Sequence, residues 1–421
     1  MTPPLASRRP AETVRPASLA MTTVLLALLG MFGPFSIDTP FPAFAAMGEQ
    51  FQVSDAAMQL VVSAYLASFA AMCLFHGPIS DAVGRKPVMV TGAAIYALAS
   101  IGCALSNSLE LLLVFRVLQG MSAGAGTIVS RTVVRDLFEG ARAQQLMSIV
   151  AMIFALGPAI APIMGGWLLL LGPWPLIFWF LTLFGAAIAI AVLALLPESH
   201  PPENRTPLRV RSILASVADV SRVRSFQVLA AAQAFSFAGQ FLYIAAAPIF
   251  VVSLLGKGPQ DFWVFFVPMV GGMVLGSFTN ARLAGRVSGH VLITGGQCVA
   301  ITGAVVGMLF AFGPGAATLP WAVVGPTAIA FGTGIALPIY QLTLLDAVPH
   351  ARGTAASVST FAVLILNAVL ASVIAPVAAT SLGRLAATSL TLLVLGIALF
   401  HLHRAGVRRE SRTHTCQPEV S

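Results

Sequence analysis

The chain has 421 residues, of which 57% are hydrophobic and only 9% charged. A soluble domain carries about 25% charged residues, so composition excludes a soluble enzyme and points to an integral membrane protein. The formal net charge of +8 would suit a nucleic-acid partner, but the placement of the charges gives it another meaning.

A bilayer-crossing helix needs about 20 mostly apolar residues. Twelve stretches meet that length, at about 20–42, 57–76, 87–106, 109–131, 145–170, 175–196, 225–254, 262–280, 290–311, 320–344, 354–379 and 385–402. None shows the alternation of a membrane β-barrel strand. The expected fold is therefore all-α, with twelve spans. Residues 1–18 form an N-terminal tail, 19–196 a first six-helix bundle, 197–224 a polar linker, 225–402 a second six-helix bundle and 403–421 a C-terminal tail.

Counted by alternate loops, one side holds Arg8, Arg9, Arg15, Arg85, Lys86, Arg131, Arg135, Arg142, Arg205, Arg209, Arg211, Arg222, Arg224, Arg282, Arg286, Arg352, Arg404, Arg408, Arg409 and Arg412. The other side holds Lys257 and Arg384, and Arg116 lies within a span. Positive loops stay inside, so both termini and the linker are expected to be cytoplasmic. The basic surplus is topology, not a nucleic-acid footprint. Arg8 and Arg9 before an apolar run, with Ala43-Phe44-Ala45 after it, imitate a cleavable leader. The run's length, its Asp38 and the eleven spans that follow argue for retention. Cys73, Cys103, Cys298 and Cys416 show no metal or disulfide spacing and read as small packing residues.

In span one, Gly33-Pro34-Phe35-Ser36-Ile37-Asp38-Thr39-Pro40-Phe41-Pro42-Ala43 carries the only carboxylate placed within a span; span four carries the lone cation Arg116. Ionised groups in hydrocarbon cost roughly 2.5–3.5 kcal/mol on insertion scales and mark a pathway or a partner. Span one runs outward and span four inward, which puts Asp38 and Arg116 at similar depth in the outer half. They are expected close enough for an ion pair or a water-bridged relay. Burial favours a protonated carboxyl and a nearby cation favours the ionised form, so small changes in separation load or release a proton. Arginine stays charged throughout. A static ion pair between spans one and four, or an Asp38 capping the wet outer mouth near Pro40 and Pro42, are the competing readings.

After span two, Gly77-Pro78-Ile79-Ser80-Asp81-Ala82-Val83-Gly84-Arg85-Lys86 builds a tight turn. There Asp81 and Arg85 supply a charge pair that can break and re-form as helices slide. After span eight, Gly276-Ser277-Phe278-Thr279-Asn280-Ala281-Arg282-Leu283-Ala284-Gly285-Arg286 repeats the pattern loosely. Two parallel repeats place a substrate site at their interface near the midplane. Arg131, Arg135 and Asp136 at the inner end of span four extend this charge cluster, or serve as ordinary inside-positive charges. Tyr65, Gln119, Gln233, Phe237, Gln240, Tyr243, Tyr340, Gln341 and Asn367 are the candidates to line the cavity. Alternatively the amides bridge helices and the rings pack. A lining so sparsely polar suits amphiphilic drugs better than sugars.

Taken together, these segments resemble the major facilitator superfamily. The turn after span two resembles its loop 2–3 signature, and Arg116-Val117-Leu118-Gln119-Gly120 resembles its R-x-x-Q-G motif. Gly157-Pro158-Ala159-Ile160-Ala161-Pro162-Ile163-Met164-Gly165-Gly166 resembles its antiporter motif, with Ala161 in place of a glycine. The Asp38 element, Arg131–Phe138, Leu337–Gln341 and Pro349–Ser357 are similar to the Bcr/CflA family of drug–proton antiporters over roughly residues 20–400. Arg352 and Ala246-Ala247 before Pro248 depart from that pattern.

The resemblance implies the major facilitator fold, two pseudo-symmetric six-helix bundles alternating around a cavity in a bacterial inner membrane. It implies a proton-coupled multidrug efflux antiporter, working as a monomer, that exports small phenicol- or bicyclomycin-like antibiotics. Asp38 and Arg116 would couple to protons and respond to substrate. Gly77, Asp81, Gly84, Arg85, Arg131, Arg135, Asp136, Gly157, Pro158, Pro162, Gly165 and Gly166 would serve the conformational switch. His76, His290 and His350 form no ligand cluster, and no ATP-binding loop or catalytic cluster is visible. No metal, no cofactor beyond the proton gradient and no enzyme activity are expected. A metabolite exporter of the same fold, handling a sugar or a nucleoside, is the alternative. A non-transporting receptor would need a partner-binding soluble domain.

Overall fold

The structure, a computed structural model, describes residues 16–138, 140–313 and 317–415. Arg8, Arg9, Arg15 and Cys416, with much of the two tails, lie outside the described residues. Twelve helices among the described residues are long and apolar enough to cross a membrane. They run Met21–Phe51, Asp55–Val83, Arg85–Ala104, Leu109–Leu137, Gln145–Leu171, Pro175–Leu195, Arg224–Ala245, Trp263–Leu283, Gly289–Ala311, Trp321–Ala347, Pro349–Ala378 and Leu382–Gly406. Their order matches the expected spans. Several overrun the apolar windows, since a helix keeps its backbone bonds beyond the hydrocarbon edge. Span four continues through Arg131–Asp136 to Leu137, and span one reaches Phe51.

Span one is broken. Its pieces are Pro16–Gly30, Phe32–Asp38, a tight turn at Phe41–Ala43, and Phe44–Phe51. Pro34, Pro40 and Pro42 each lack the N–H that would bond one turn back, and interior prolines kink or break helices. Asp38 therefore ends a helical piece in the middle of the span. π-helical turns at Ile249–Leu254 and Leu370–Ile374 interrupt the paths of spans seven and eleven.

Within the first half, span three packs on spans four and six, and span two on span four. Within the second, span nine packs on spans ten and twelve, and span eight on span ten. This is the same pattern advanced by six. The turns after spans two and eight also correspond: Gly84 and Gly285 both have positive φ, +112° and +77°. The halves meet through spans two and eleven, where Ser63 Oγ donates to the Ala368 carbonyl at 2.9 Å, and through spans five and eight. Away from the charged loops, Phe41 of span one stacks on Phe266 of span eight at 6.3 Å. A Cβ at Gly166 of span five would stand only 2.6 Å from the Pro259 carbonyl. The segment between the halves is not featureless. It contains a turn at Pro202–Asn204 and a helix, Val210–Arg222.

Candidate functional site

Span four presents Arg116 to the interior of the first half, where its side chain is fully buried. Nε donates to the Val61 carbonyl at 3.0 Å and Nη1 to Gln119 Oε1 at 2.9 Å, while Nη2 has no partner. The guanidinium carbon lies 4.7 Å from the centroid of the Tyr65 ring. Gly120 makes this possible, because any Cβ there would collide with the Tyr65 carbonyl and Ser68 Oγ. Gln119, one helical turn from Arg116, donates from Nε2 to Ser100 Oγ at 2.7 Å, and Ser100 Oγ to the Tyr96 carbonyl at 2.7 Å. The Tyr96 hydroxyl in turn bonds Ser36 Oγ at 2.6 Å. Two sets of buried polar contacts thus link span four to span three and span three to span one, with the Tyr96 ring between them and Ser36 two residues before Asp38.

Asp38 is 3% exposed, and its Oδ1 has no hydrogen-bond partner. No ion pair joins it to Arg116 among the described residues, so of the two expected arrangements, an ion pair or a water-bridged relay, the first is not formed. The reason is local: the Val61 carbonyl, Gln119 and the Tyr65 face hold the guanidinium on spans two and four. Tyr65 faces the Arg116 guanidinium with its ring, while its hydroxyl donates to the Phe32 carbonyl at 3.3 Å, on the helical piece that ends at Asp38. The other carboxylates of the spans (Glu49, Asp55, Asp81, Glu110, Asp136 and Asp346) stand near span ends. Asp38 alone does not.

Span five braces this arrangement. Gly157 packs on Pro34, and Gly165 on the Thr39 carbonyl, so the two glycines clamp span one on either side of Asp38. Pro158 and Pro162 lie inside the same helix.

Among the cavity candidates, Gln233, Gln240, Tyr243, Tyr340 and Asn367 are buried and Phe237 is half-buried. Gln233 Oε1, Gln240 Oε1 and Asn367 Oδ1 have no hydrogen-bond partner. The structure does not gather all of them. Tyr340 packs against Phe400, with Ser236 Oγ 3.5 Å from its hydroxyl, in a separate cluster of the second half. Gln341 is exposed beside Leu342 on span ten. One residue of helix turns a side chain by about 100°, so burying Tyr340 carries its neighbour away from the interior.

At the charged end, Arg85 pairs with Asp81 and, at 3.0 Å through Nε, with Asp136. Arg131 and Arg135 do not join them. Arg131 lies 5.9 Å over the Phe154 ring, and Arg135 forms no ion pair with a described residue. Five and one positions from Asp136, they point to other sides of the helix. Gly77 faces open space.

The Major Facilitator Superfamily profile matches residues 26–371. The chain belongs to the major facilitator superfamily. It is 30% identical over 268 residues to a bicyclomycin resistance protein homolog of Haemophilus influenzae, covering 64% of this chain and 67% of that one. It is 28% identical over 364 residues to multidrug resistance protein D of Escherichia coli, covering 86% and 90%. In fold it is similar to a bacterial homolog of the human lysosomal transporter Spinster, solved inward-facing and occupied. That match has a TM-score of 0.72 at 16% identity over 93% of this chain and 97% of the other. The protein is thus a multi-pass membrane transporter, not an enzyme.

Several residues of this superfamily member escaped the sequence reading. Ser36, Tyr96 and Ser100 look like ordinary span residues; only the nearness of Ser36 to Asp38 signals a role. Glu198, in the polar linker, was not singled out; its oxygens accept from the backbone N–H groups of Arg85 and Lys86, at 3.0 and 3.3 Å, at the start of span three. Gly84, at positive φ, leaves room for that carboxylate and for Arg205; a Cβ would stand 2.6 Å from Glu198 Oε2. Thr206 N donates to the Asp81 carbonyl at 3.2 Å, and Ser199 Oγ to Asp136 at 3.2 Å. Removing a helix cap costs about 0.5–2 kcal/mol. Glu198→Ala is therefore expected to lower the melting temperature of the solubilised protein by about 1–4 °C, and Glu198→Gln, which keeps one of the two acceptor oxygens, by less. Equal melting of all three in a thermal scan would remove the cap from the account.

Proposed function

We propose that the protein is a proton-coupled exporter of small lipophilic antibiotics, phenicol- or bicyclomycin-like, of the Bcr/CflA branch. It would work as a monomer in a bacterial inner membrane with the charged end and both termini in the cytoplasm. Residues 19–196 and 225–402 would swing as units around a cavity, with 197–224 as the linker. One observation carries the reading: a carboxyl group far from any span end, buried, with an oxygen that no protein group satisfies. Such a group is costly in a membrane and marks a proton or substrate path.

Outward-facing, Asp38 takes up a proton. Inward-facing, drug entry and the field of Arg116 favour its release. Tyr65, whose ring faces Arg116 and whose hydroxyl bonds the Phe32 carbonyl of span one, would relay the change. Gln233, Gln240 and Asn367 offer free carbonyl oxygens, few enough to suit an amphiphilic drug. The names of the H. influenzae and E. coli relatives agree with that substrate class.

Proteoliposomes with an acidic lumen are expected to accumulate chloramphenicol or bicyclomycin while the lumen turns alkaline. Gradient-driven movement of a sugar or nucleoside, with none of either drug, would replace this reading by metabolite export.

A further inference from the structure

The linker helix Val210–Arg222 carries more apolar surface than the protein covers. Ile213, Val217 and Val220 lie on the side turned to the protein, with Val220 buried, and the helix packs on spans seven, eleven and two. Next to that stripe, at about 100° per residue, come Val210 and Leu214, which remain 49% and 51% exposed; Leu208 just before the helix is also exposed. Arg211 and Arg222 follow on the same flank. Only Val223 separates this helix from the start of span seven at Arg224, so its C-terminal end sits at the level where a span begins.

The charges are one-sided. Between 205 and 224 the chain has Arg205, Arg209, Arg211, Arg222 and Arg224 against a single carboxylate, Asp219. Arg209 and Arg211 pair with no described carboxylate, and Arg222 reaches Asp219 only at 4.0 Å with both side chains exposed. Such an exposed pair contributes little. An uncovered apolar edge bordered by unneutralised arginines, at the depth of the span ends, matches the boundary between acyl chains and anionic headgroups.

We infer that the linker helix is a membrane-surface element that binds anionic phospholipid, with Val210 and Leu214 in the acyl boundary and Arg209, Arg211 and Arg222 on the phosphates. The consequence reaches both halves. The linker is tied at its start to the turn after span two through Glu198 and Thr206, and its helix rests on span eleven of the other half. Lipid that holds the helix therefore sets the footing on which the halves move. This inference stands whatever the transported solute is.

The test places an environment-sensitive NBD label on Leu214→Cys in a Cys298→Ser, Cys416→Ser background; Cys73 and Cys103 are buried. The protein is studied in nanodiscs of phosphatidylglycerol or of phosphatidylcholine. In phosphatidylglycerol, nitroxide on the upper acyl chain is expected to quench the label at least about twofold more than aqueous iodide does, whereas a label at Asp219→Cys stays open to iodide. Each arginine near an anionic surface is worth about fivefold in partitioning. Replacing Arg209, Arg211 and Arg222 by Gln should thus cut phosphatidylglycerol retention in native mass spectrometry severalfold at least. Leu214 labels equally open to iodide in both lipids, labels shielded from both quenchers by protein, or lipid retention unchanged in the triple variant would each overturn the inference.

Discussion

Asp38→Asn is expected to reduce proton-driven drug export to background while drug binding persists. The substitution keeps the shape of the side chain and removes only its capacity to exchange a proton. Its surroundings predict little collateral damage. Span one is held there by Gly165 against the Thr39 carbonyl and Gly157 against Pro34, contacts that do not involve the carboxyl group. Oδ1 has no protein partner to lose. The measurement is gradient-driven flux in proteoliposomes beside equilibrium drug binding on the same preparation. Asp38→Glu, which restores a titratable group one methylene further out, should recover part of the flux. Full gradient-driven export by the Asn variant would refute the assignment of the coupling proton to Asp38.

The fold was legible because a membrane makes sequence simple. Backbone groups in hydrocarbon must bond within their own helix, so apolar length alone located the spans. Side-chain partnerships were less legible, for a physical reason. Asp38 and Arg116 stood out by their cost, but what satisfies Arg116 is a carbonyl of span two, an amide one turn away and the face of Tyr65. A carbonyl has no sequence signature. Ser36, Tyr96 and Ser100 are equally silent, since small hydroxyls in spans most often bond the preceding turn, as Ser36 and Ser100 also do here. The linker misled differently. Its composition read only as a polar linker, whereas Val210, Leu214 and Val217 recur at helical spacing, a signal weakened by its short length.

Arg116→Lys should be nearly as damaging to transport as Arg116→Met, although it preserves the charge. The guanidinium spans two acceptors on different helices, the Val61 carbonyl through Nε and Gln119 through Nη1, while its flat face rests on Tyr65. Lysine offers its donors from one atom and no planar face, so it cannot hold that geometry. At least one of the Val61 carbonyl and Gln119 Oε1 would be left unpaired in a buried site, at a cost of about 1–3 kcal/mol. More important for coupling, the cation would be free to move relative to Tyr65 and hence to Asp38. Flux should fall at least about tenfold, as a loss of one charge-assisted contact implies. Gln119→Ala provides the cross-check. If Gln119 acts by fixing Arg116, the two substitutions together should cost less than the sum of their separate effects, with a coupling of about 0.5–3 kcal/mol. Wild-type flux in Arg116→Lys would mean that a point charge suffices, and the polar contacts of Gln119, Ser100, Tyr96 and Ser36 would then be scaffolding for span packing and no part of the coupling route.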